Sequence, residues 1–409
     1  MNDRRLNVAL VMGAPFPTLH GSQMLVRQLA EGLADRGHNV HLVAYAAESK
    51  AIPRGVRVHR LPQVWGCRIT RSGPHPGKLL LDVLLTARLL GIVRRERIDV
   101  LHGHNYEGVL VSLLVGRLTG HPVIYHGHSA METELPTYFS TALARAAARQ
   151  VGGWLDANVP RRADYCIGVT ENLVDMLRAR GVGADDVRYV LPAGPAENTG
   201  DPEGAAALRD LGVSDGPTVL YAGNLDRYQN LEFLLKSFAR VRSVRPDVRL
   251  LMVTHGESRR ERRRARALTE EGVHIIRVRT FPETRALIAA ADIAVSPRTE
   301  ATGFPMKLLN YMAAGKPIVA CAGSAKMLRD GETGLVVPNG DDGAFARAVL
   351  RLLDEPVARD RMGTRARHAV RTLCAPEAMI DRIESVYRRV LAQREAAGAA
   401  GPTPSEVSL

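Results

Sequence analysis

The feature that most constrains this chain is an alternation that runs twice along it. Short apolar runs flanked by Gly and Pro are separated by stretches with helical periodicity. In the first half, strand-like runs stand at Asn7–Met12, Asn39–Tyr45, Val56–Leu61, Val100–His102, Val123–His126 and Cys166–Thr170. Between the first two, Gly21–Arg36 places Leu25, Leu29 and Leu33 on one helical face. Strands alternating with helices call for parallel β-α-β units. From Leu191 to Gly216 the composition turns to Pro, Gly, Ala, Asp and Glu, which marks an interdomain linker over 193–216. The alternation then resumes. Strands are expected at Thr218–Ala222, Arg249–Thr254, His274–Val278, Ile293–Ser296, Pro317–Ala320 and Gly334–Val337. Helices are expected at Leu231–Ser243, Arg259–Glu270, Pro282–Ala290, Pro305–Ala314, Ala344–Leu353 and Pro376–Ala396. The reading is two α/β domains in tandem, 1–192 and 217–375, a closing helix over 376–396 and a disordered tail over 397–409. A length of 409 residues accommodates two such cores. Ligands of open parallel sheets gather beyond the carboxyl ends of the strands, and two domains facing across a cleft suit a reaction that joins two substrates.

Charge narrows the partners. Lys and Arg number 55 against 43 Asp and Glu, a formal net charge of +12, and only six of the bases are Lys. That balance favours phosphate-bearing substrates or an anionic membrane face. No zinc finger, RNP-like motif or basic run interleaved with aromatics is present, so nucleic acid is not an expected partner. The run Arg259–Arg266 (RRERRRAR) reads as a solvated helical face, with attraction to a membrane surface as the second reading. The segment Ser140–Leu155, with Arg145, Arg149 and Trp154, fits either a membrane interface or a core-facing helix. Cys67, Cys166, Cys321 and Cys374 are scattered, suggesting neither a disulfide framework nor a metal cluster, and a reducing cytoplasm fits. The apolar stretch Leu79–Val93 is too short, and too interrupted by Asp82 and Arg88, to span a bilayer.

Three segments at strand ends carry polar groups suited to chemistry. The first, Gly13–Gln23, leads from a strand into a helix that opens with Gly21 and Ser22, where free backbone N–H groups suit a phosphate or a sugar hydroxyl. Its spacing is not that of a dinucleotide fingerprint. The second is Tyr125–Ser129 (YHGHS), in which His128 is placed to bond a sugar hydroxyl or organise developing charge. With His102 and His104 on the preceding strand, two HxH pairs admit a zinc reading. Against it stand the lack of an accompanying Cys and of a metalloenzyme helix motif, and the reading assigns no metal and no cofactor. The third is Ser296–Ala320. Arg298 sits at a strand end, Gly303-Phe304-Pro305 leads into a helix with Pro at its first position, and Lys307 lies in the first turn. A cation there opposes the helix dipole and is easiest to explain if an anion, such as a diphosphate, binds as well.

These pieces together resemble the retaining GT-B glycosyltransferases of glycosyltransferase family 4. The likeness rests on the opening strand–loop–helix, YHGHS, Tyr221–Leu235 (YAGNLDRYQNLEFLL), Gly303–Ala320 and Gly331–Val337 (GETGLVV), and it spans nearly all of the chain. The resemblance implies a GT-B fold, two Rossmann-like domains facing across a cleft, with a UDP- or GDP-linked sugar donor held by the C-terminal domain. It implies a saccharide or lipid-linked acceptor on the N-terminal domain, a last helix that crosses back, no metal, and work in the cytoplasm at the inner face of the membrane. Donor-contacting positions carried over are Gly21, Ser22, Gly223, Asn224, Gln229, Glu300, Thr302, Gly303, Phe304, Pro305 and Asn310, with His128, Arg298 and Lys307 as the catalytic set. The chain departs from the family pattern at four of these. Thr302 and Asn310 stand where the family carries a Glu-x7-Glu pair, and Glu300 lies near the first. Asn224 and Gln229 stand where it carries an Arg/Lys pair, so Arg298 and Lys307 are expected to supply that charge. Two other readings stay open: a GT-B protein that binds sugar nucleotide without turnover, and a sugar-nucleotide epimerase.

Overall fold

In the computed structural model the described residues are 4–17, 21–47, 52–63, 73–75, 77–195, 216–255, 263, 266–267, 270–299 and 303–399. They divide into two units: unit 1 comprises Met1–Leu191 with Pro376–Leu409, and unit 2 comprises Pro192–Ala375.

Unit 1 is built from β1 (Asn7–Pro15), α1 (Gly21–Asp35), β2 (Asn39–Tyr45), β3 (Val56–Arg60), α2 (Gly77–Glu96), β4 (Val100–His104) and α3 (Asn105–Thr119). These are followed by β5 (Val123–Gly127), α4 (Met131–Glu134), α5 (Ala142–Asn158), β6 (Tyr165–Gly168), α6 (Glu171–Ala179) and β7 (Val187–Tyr189). All strand pairs are parallel, in the order β3-β2-β1-β4-β5-β6-β7. The order reverses between β1 and β4, so crossovers leave to opposite sides and a crevice opens at that point. Every residue of β4 and β5 is buried, as strands covered on both faces require.

Unit 2 repeats the scheme with β8 (Thr218–Ala222), α7 (Leu231–Val244), β9 (Arg249–Thr254), β10 (Val273–Arg277), α8 (Phe281–Ala290), β11 (Ile293–Ser296), α9 (Met306–Ala313), β12 (Ile318–Cys321), β13 (Leu335–Val337), α10 (Asp342–Asp354) and α11 (Pro356–Leu373). Its strand order is β10-β9-β8-β11-β12-β13, with the reversal between β8 and β11. Val219, Leu250, Met252, Val295 and Val319 from the strands pack with Leu234, Phe238, Phe345 and Val349 from the helices.

The last helix, α12 (Pro376–Ala399), belongs to unit 1. It buries Ile380, Ile383, Val386, Tyr387 and Val390. A buried relay fixes its position: the Leu6 N–H donates to His38 Nδ1 at 3.1 Å, and His38 Nε2 bonds Glu384 Oε1 at 2.9 Å. That arrangement puts the imidazole proton on Nε2, facing the carboxylate.

Several boundaries differ from the sequence reading. β6 ends at Gly168 because Thr170 is taken up as the cap of α6, accepting from Leu173 N at 3.2 Å. Pro305 precedes α9 rather than opening it, so the helix begins at Met306. Helix α11 went unread. Its buried stripe is only Met362, Gly363, Ala366 and Val370, thin among many charged residues. Likewise β7 is a three-residue edge strand. The helix continues through 397–399, where a disordered tail was expected, and 400–409 lie outside the described residues. Most of the expected linker and most of the helix at 259–270, including all of its basic run except Arg263 and Arg266, also lie outside them.

The β1–α3 contact sets the crevice of unit 1. A Cβ on Gly108 would stand 2.3 Å from the Val11 carbonyl oxygen, so only glycine lets α3 lie this close to β1. Gly108→Ala is expected to destabilise unit 1 by at least about 2 kcal/mol, read as a lowered urea midpoint of its unfolding transition.

Candidate active site

At the switch point of unit 1 the strands deliver four imidazoles to one place. His102 and His104 alternate along β4, and in the parallel register His104 pairs with His126 of β5. The i, i+2 spacing therefore puts His102, His104, His126 and the partly exposed His128 on one face. Their rings are stacked or tilted at centroid separations of 4.5 Å (His102–His104), 4.9 Å (His104–His126) and 5.1 Å (His126–His128). His102 Nε2 bonds His126 Nδ1 at 3.1 Å, and His104 Nδ1 bonds His128 Nε2 at 3.2 Å. Tyr387 reaches in from α12, its hydroxyl 2.7 Å from His102 Nδ1. Burial holds the rings neutral: it pushes His128 down to about 4 and, with His128 adding, His102 down to about 3. His128 thus enters any reaction as a neutral hydrogen-bonding imidazole.

Gly21 and Ser22 form the first turn of α1, and the Ser22 hydroxyl donates to Gln23 Oε1 at 2.9 Å. Asn105, the first residue of α3, has φ +58, a left-handed conformation that Asn tolerates better than most side chains. Around the ends of β2 and α2, Lys78 Nζ donates to Glu107 Oε1 at 2.6 Å, and the Tyr45 hydroxyl donates to Asp82. Burial raises the Asp82 carboxyl above its ordinary range. Tyr387, Lys78, Asp82 and Glu107 were not read from sequence. Their partners are distant in sequence, Tyr387 with His102, Lys78 with Glu107 and Asp82 with Tyr45, and only the tertiary fold brings them together.

In unit 2 the reversal of strand order falls between β8 and β11, and Arg298 and Lys307 meet beside it. Lys307, in the first turn of α9, donates from Nζ to Gln229 Oε1 at 2.8 Å and lies 3.9 Å above the Tyr221 ring centroid. Gln229, where the resemblance leads one to expect a base, instead offers the carbonyl oxygen that accepts from Lys307. Arg298 lies 5.1 Å over the Tyr228 ring, and its Nε is buried without a hydrogen-bond partner among the described residues. Neither Arg298 nor Lys307 forms an ion pair within that set. Burial first, and Arg298 second, push the Lys307 ammonium well below its ordinary range, and the same two causes lower Lys326. Lys326 was missed, yet in a chain with only six Lys its place after β12 was a usable signal.

The glycine at 223 makes the room. With φ +152, it would carry a Cβ 2.9 Å from Lys307 Nζ and 3.0 Å from Tyr221 Oη. Asn224 is spent within the loop: its Nδ2 donates to Tyr228 Oη at 2.7 Å, while its carbonyl accepts from Tyr221 Oη at 2.6 Å. Gly303, Phe304 and Pro305 are buried ahead of α9, and Asn310 lies one turn past Lys307, partly exposed. Glu300 and Thr302 lie outside the described residues. Arg298 and Lys326 follow the ends of two strands of unit 2, and both Lys326 and Lys307, in the first turn of α9, feel the charge of Arg298; bases beside a helix N-terminus suit an anion.

The two parallel-sheet α/β units define the class of fold, which is GT-B. Residues 20–194 match the model of the glycosyl transferase 4-like domain, and residues 216–355 match that of glycosyl transferases group 1. The chain belongs to glycosyltransferase family 4. It is 27% identical over 403 residues to the D-inositol 3-phosphate glycosyltransferase of Acidothermus cellulolyticus, covering 92% of this chain and 87% of that one. It is also 27% identical over 378 residues to the phosphatidyl-myo-inositol mannosyltransferase of Mycobacterium tuberculosis, covering 90% and 92%. Among solved structures, HepE of Anabaena in complex with UDP-glucose superposes with a TM-score of 0.71 at 17% identity, covering 93% of this chain and 99% of that one. The protein is a nucleotide-sugar glycosyltransferase.

The lowered Lys307 pKa has a thermodynamic signature. A bound diphosphate raises it again, so binding takes up protons at any pH lying between the free and bound values. Calorimetric titration of nucleoside diphosphate over a series of pH values, in buffers of different ionisation enthalpy, should show net proton uptake in the window between the free and bound values, and Lys307→Met should remove it.

Proposed function

We propose that this protein is a retaining hexosyltransferase whose nucleotide-sugar donor is held through its diphosphate by Arg298, Lys307 and the N-terminus of α9. The supporting observation is the pair of bases brought together without a carboxylate partner among the described residues, with an unpartnered guanidinium Nε. In the transfer step, the bond from the anomeric carbon to the diphosphate breaks and negative charge grows on the leaving phosphate, where these cations stabilise it. The acceptor hydroxyl forms its bond on the same face and passes its proton to the departing phosphate oxygen. No protein base and no divalent ion bridging the phosphates is required. Neutral His128 bonds a sugar hydroxyl. Gly21 and Ser22 orient donor and acceptor through the first turn of α1, while Asn310 serves the ribose as a neutral partner. The neighbours support a UDP-linked donor and a cyclitol- or lipid-linked acceptor: the HepE structure is a complex with UDP-glucose, and two relatives are named for inositol acceptors.

The experiment is a panel of UDP-, GDP-, ADP- and dTDP-sugars, read by thermal shift with and without EDTA and then by product analysis on saccharide and lipid-linked acceptors. One nucleotide should raise the midpoint regardless of EDTA, and the product should keep the donor's anomeric configuration by NMR. Lys307→Ala and Arg298→Ala should each cut turnover on the order of 10²-fold. Unchanged turnover in both variants would refute the assignment. Binding without transfer would favour the non-catalytic reading, and donor conversion without acceptor the epimerase.

We further propose that unit 1 works on an anionic membrane surface. Among the described residues no helix is long and apolar enough to cross a bilayer. The side chains Leu143, Val151 and Trp154 of α5 are exposed, and only Ala148, Gly152 and Asp156 of that helix are buried. Its apolar face is therefore not core. Leu110, Leu114 and Leu118 of α3 and Leu79, Leu80 and Val83 of α2 are exposed as well, with Arg117, Arg145 and Arg149 also at the surface. Apolar side chains with Arg and Trp suit an interface with acidic lipid. The protein should co-sediment with phosphatidylglycerol vesicles more than with phosphatidylcholine vesicles, and Leu114→Glu with Leu118→Glu should weaken that binding.

A further inference from the structure

The imidazole cluster of unit 1 holds more ring nitrogens than its hydrogen bonds use. His104 Nε2 and His126 Nε2 are both buried and have no hydrogen-bond partner among the described residues. Such orphaned buried nitrogens ask for an occupant. The hydrogen bonds already present define what kind. One consistent set of tautomers has His104 donating from Nδ1 to His128 Nε2 and His126 donating from Nδ1 to His102 Nε2, while His102 donates from Nδ1 to Tyr387 Oη. In that set both orphans carry lone pairs.

We propose that His102, His104 and His126 form a binding site for a late first-row divalent metal ion such as Zn2+. One ring nitrogen from each residue lies within 4.8 Å of the others, and all three residues are buried. Ligation by His102 uses Nε2, so the ion replaces the hydrogen bond that this nitrogen accepts from His126 Nδ1. Tetrahedral zinc, with Zn–N bonds of about 2.0–2.1 Å, needs its ligand nitrogens roughly 3.4 Å apart, which small rotations of neighbouring rings supply. A set of three imidazoles selects zinc, cobalt, nickel or copper over magnesium or calcium, which take oxygen. The fourth position is left to a water or a substrate oxygen. A consequence for the transferase follows: His104 ligating through Nε2 carries its proton on Nδ1, so the ion fixes the hydrogen bond that orients His128. This site shares no residue with the diphosphate cradle of unit 2, so the two readings fail separately.

The test is Co2+ titration of tag-free, chelator-stripped full-length protein, followed by visible absorption, with Zn2+ displacement and metal content by mass spectrometry. One equivalent of Co2+ should bind with the intense visible bands of a tetrahedral nitrogen site, and Zn2+ should abolish them. His104→Gln and His126→Gln should each lower affinity at least 100-fold while retaining the wild-type far-ultraviolet circular dichroism. His59→Gln, which breaks the separate His41–His59 pair, should bind as wild type. Absence of stoichiometric binding by wild-type protein overturns the proposal. So do bands that survive both cluster substitutions, or bands lost in the His59 variant.

Discussion

The proposed chemistry of this molecule depends on two basic side chains, Arg298 and Lys307, that meet no carboxylate among the described residues. Burial and the neighbouring Arg298 both disfavour the charged form of Lys307, a cost that an arriving anion would relieve. The surroundings are arranged around that cost. Tyr221 and Tyr228 present ring faces to the cations, Gln229 accepts from the ammonium, and Gly223 leaves the space that a side chain would fill. On the proposed reading, a diphosphate entering beside the N-terminus of α9 would favour the charged form of Lys307, and both bases would gain strength as the leaving group develops more negative charge, which is the condition for lowering a barrier rather than tightening a ground state.

Unit 1 follows the opposite electrostatic rule. The histidine face at its switch point carries neutral rings, and the parallel register between β4 and β5 decides which rings meet. Because the register matches His104 with His126, each HxH pair contributes two rings to one face, and helix α12 adds the Tyr387 hydroxyl from the far end of the chain. A relay through His38 and Glu384 anchors the same helix. Neutral imidazoles can bond hydroxyls or ligate a metal without bringing charge to a sugar.

Much of this was legible in the sequence. Strands such as Thr218–Ala222 declare themselves because both faces are buried and every residue is apolar or small. The four histidines and the Arg298–Lys307 segment stood out for residue type and position. What stayed hidden has physical causes. Helix α11 packs through small residues under a charged coat, so its period is faint. A capping role claimed Thr170 for a helix. Helix α5 turns its apolar side chains outward and its small residues inward, an inversion that periodicity alone cannot assign. Tyr387, Lys326 and the propping role of Gln229 are products of the fold. The substitution of Gln229 for a base reads as a loss in the sequence, whereas in the structure its side chain holds the base supplied by Lys307.

The most direct test of the account compares the affinities of the nucleoside, its monophosphate and its diphosphate for the protein by calorimetry. If Arg298 and Lys307 form the diphosphate cradle, the diphosphate should bind at least 100-fold more tightly than the nucleoside, and Lys307→Met should erase most of that difference while leaving nucleoside binding unchanged. Equal affinities for nucleoside and diphosphate, or a phosphate contribution indifferent to Lys307, would contradict it.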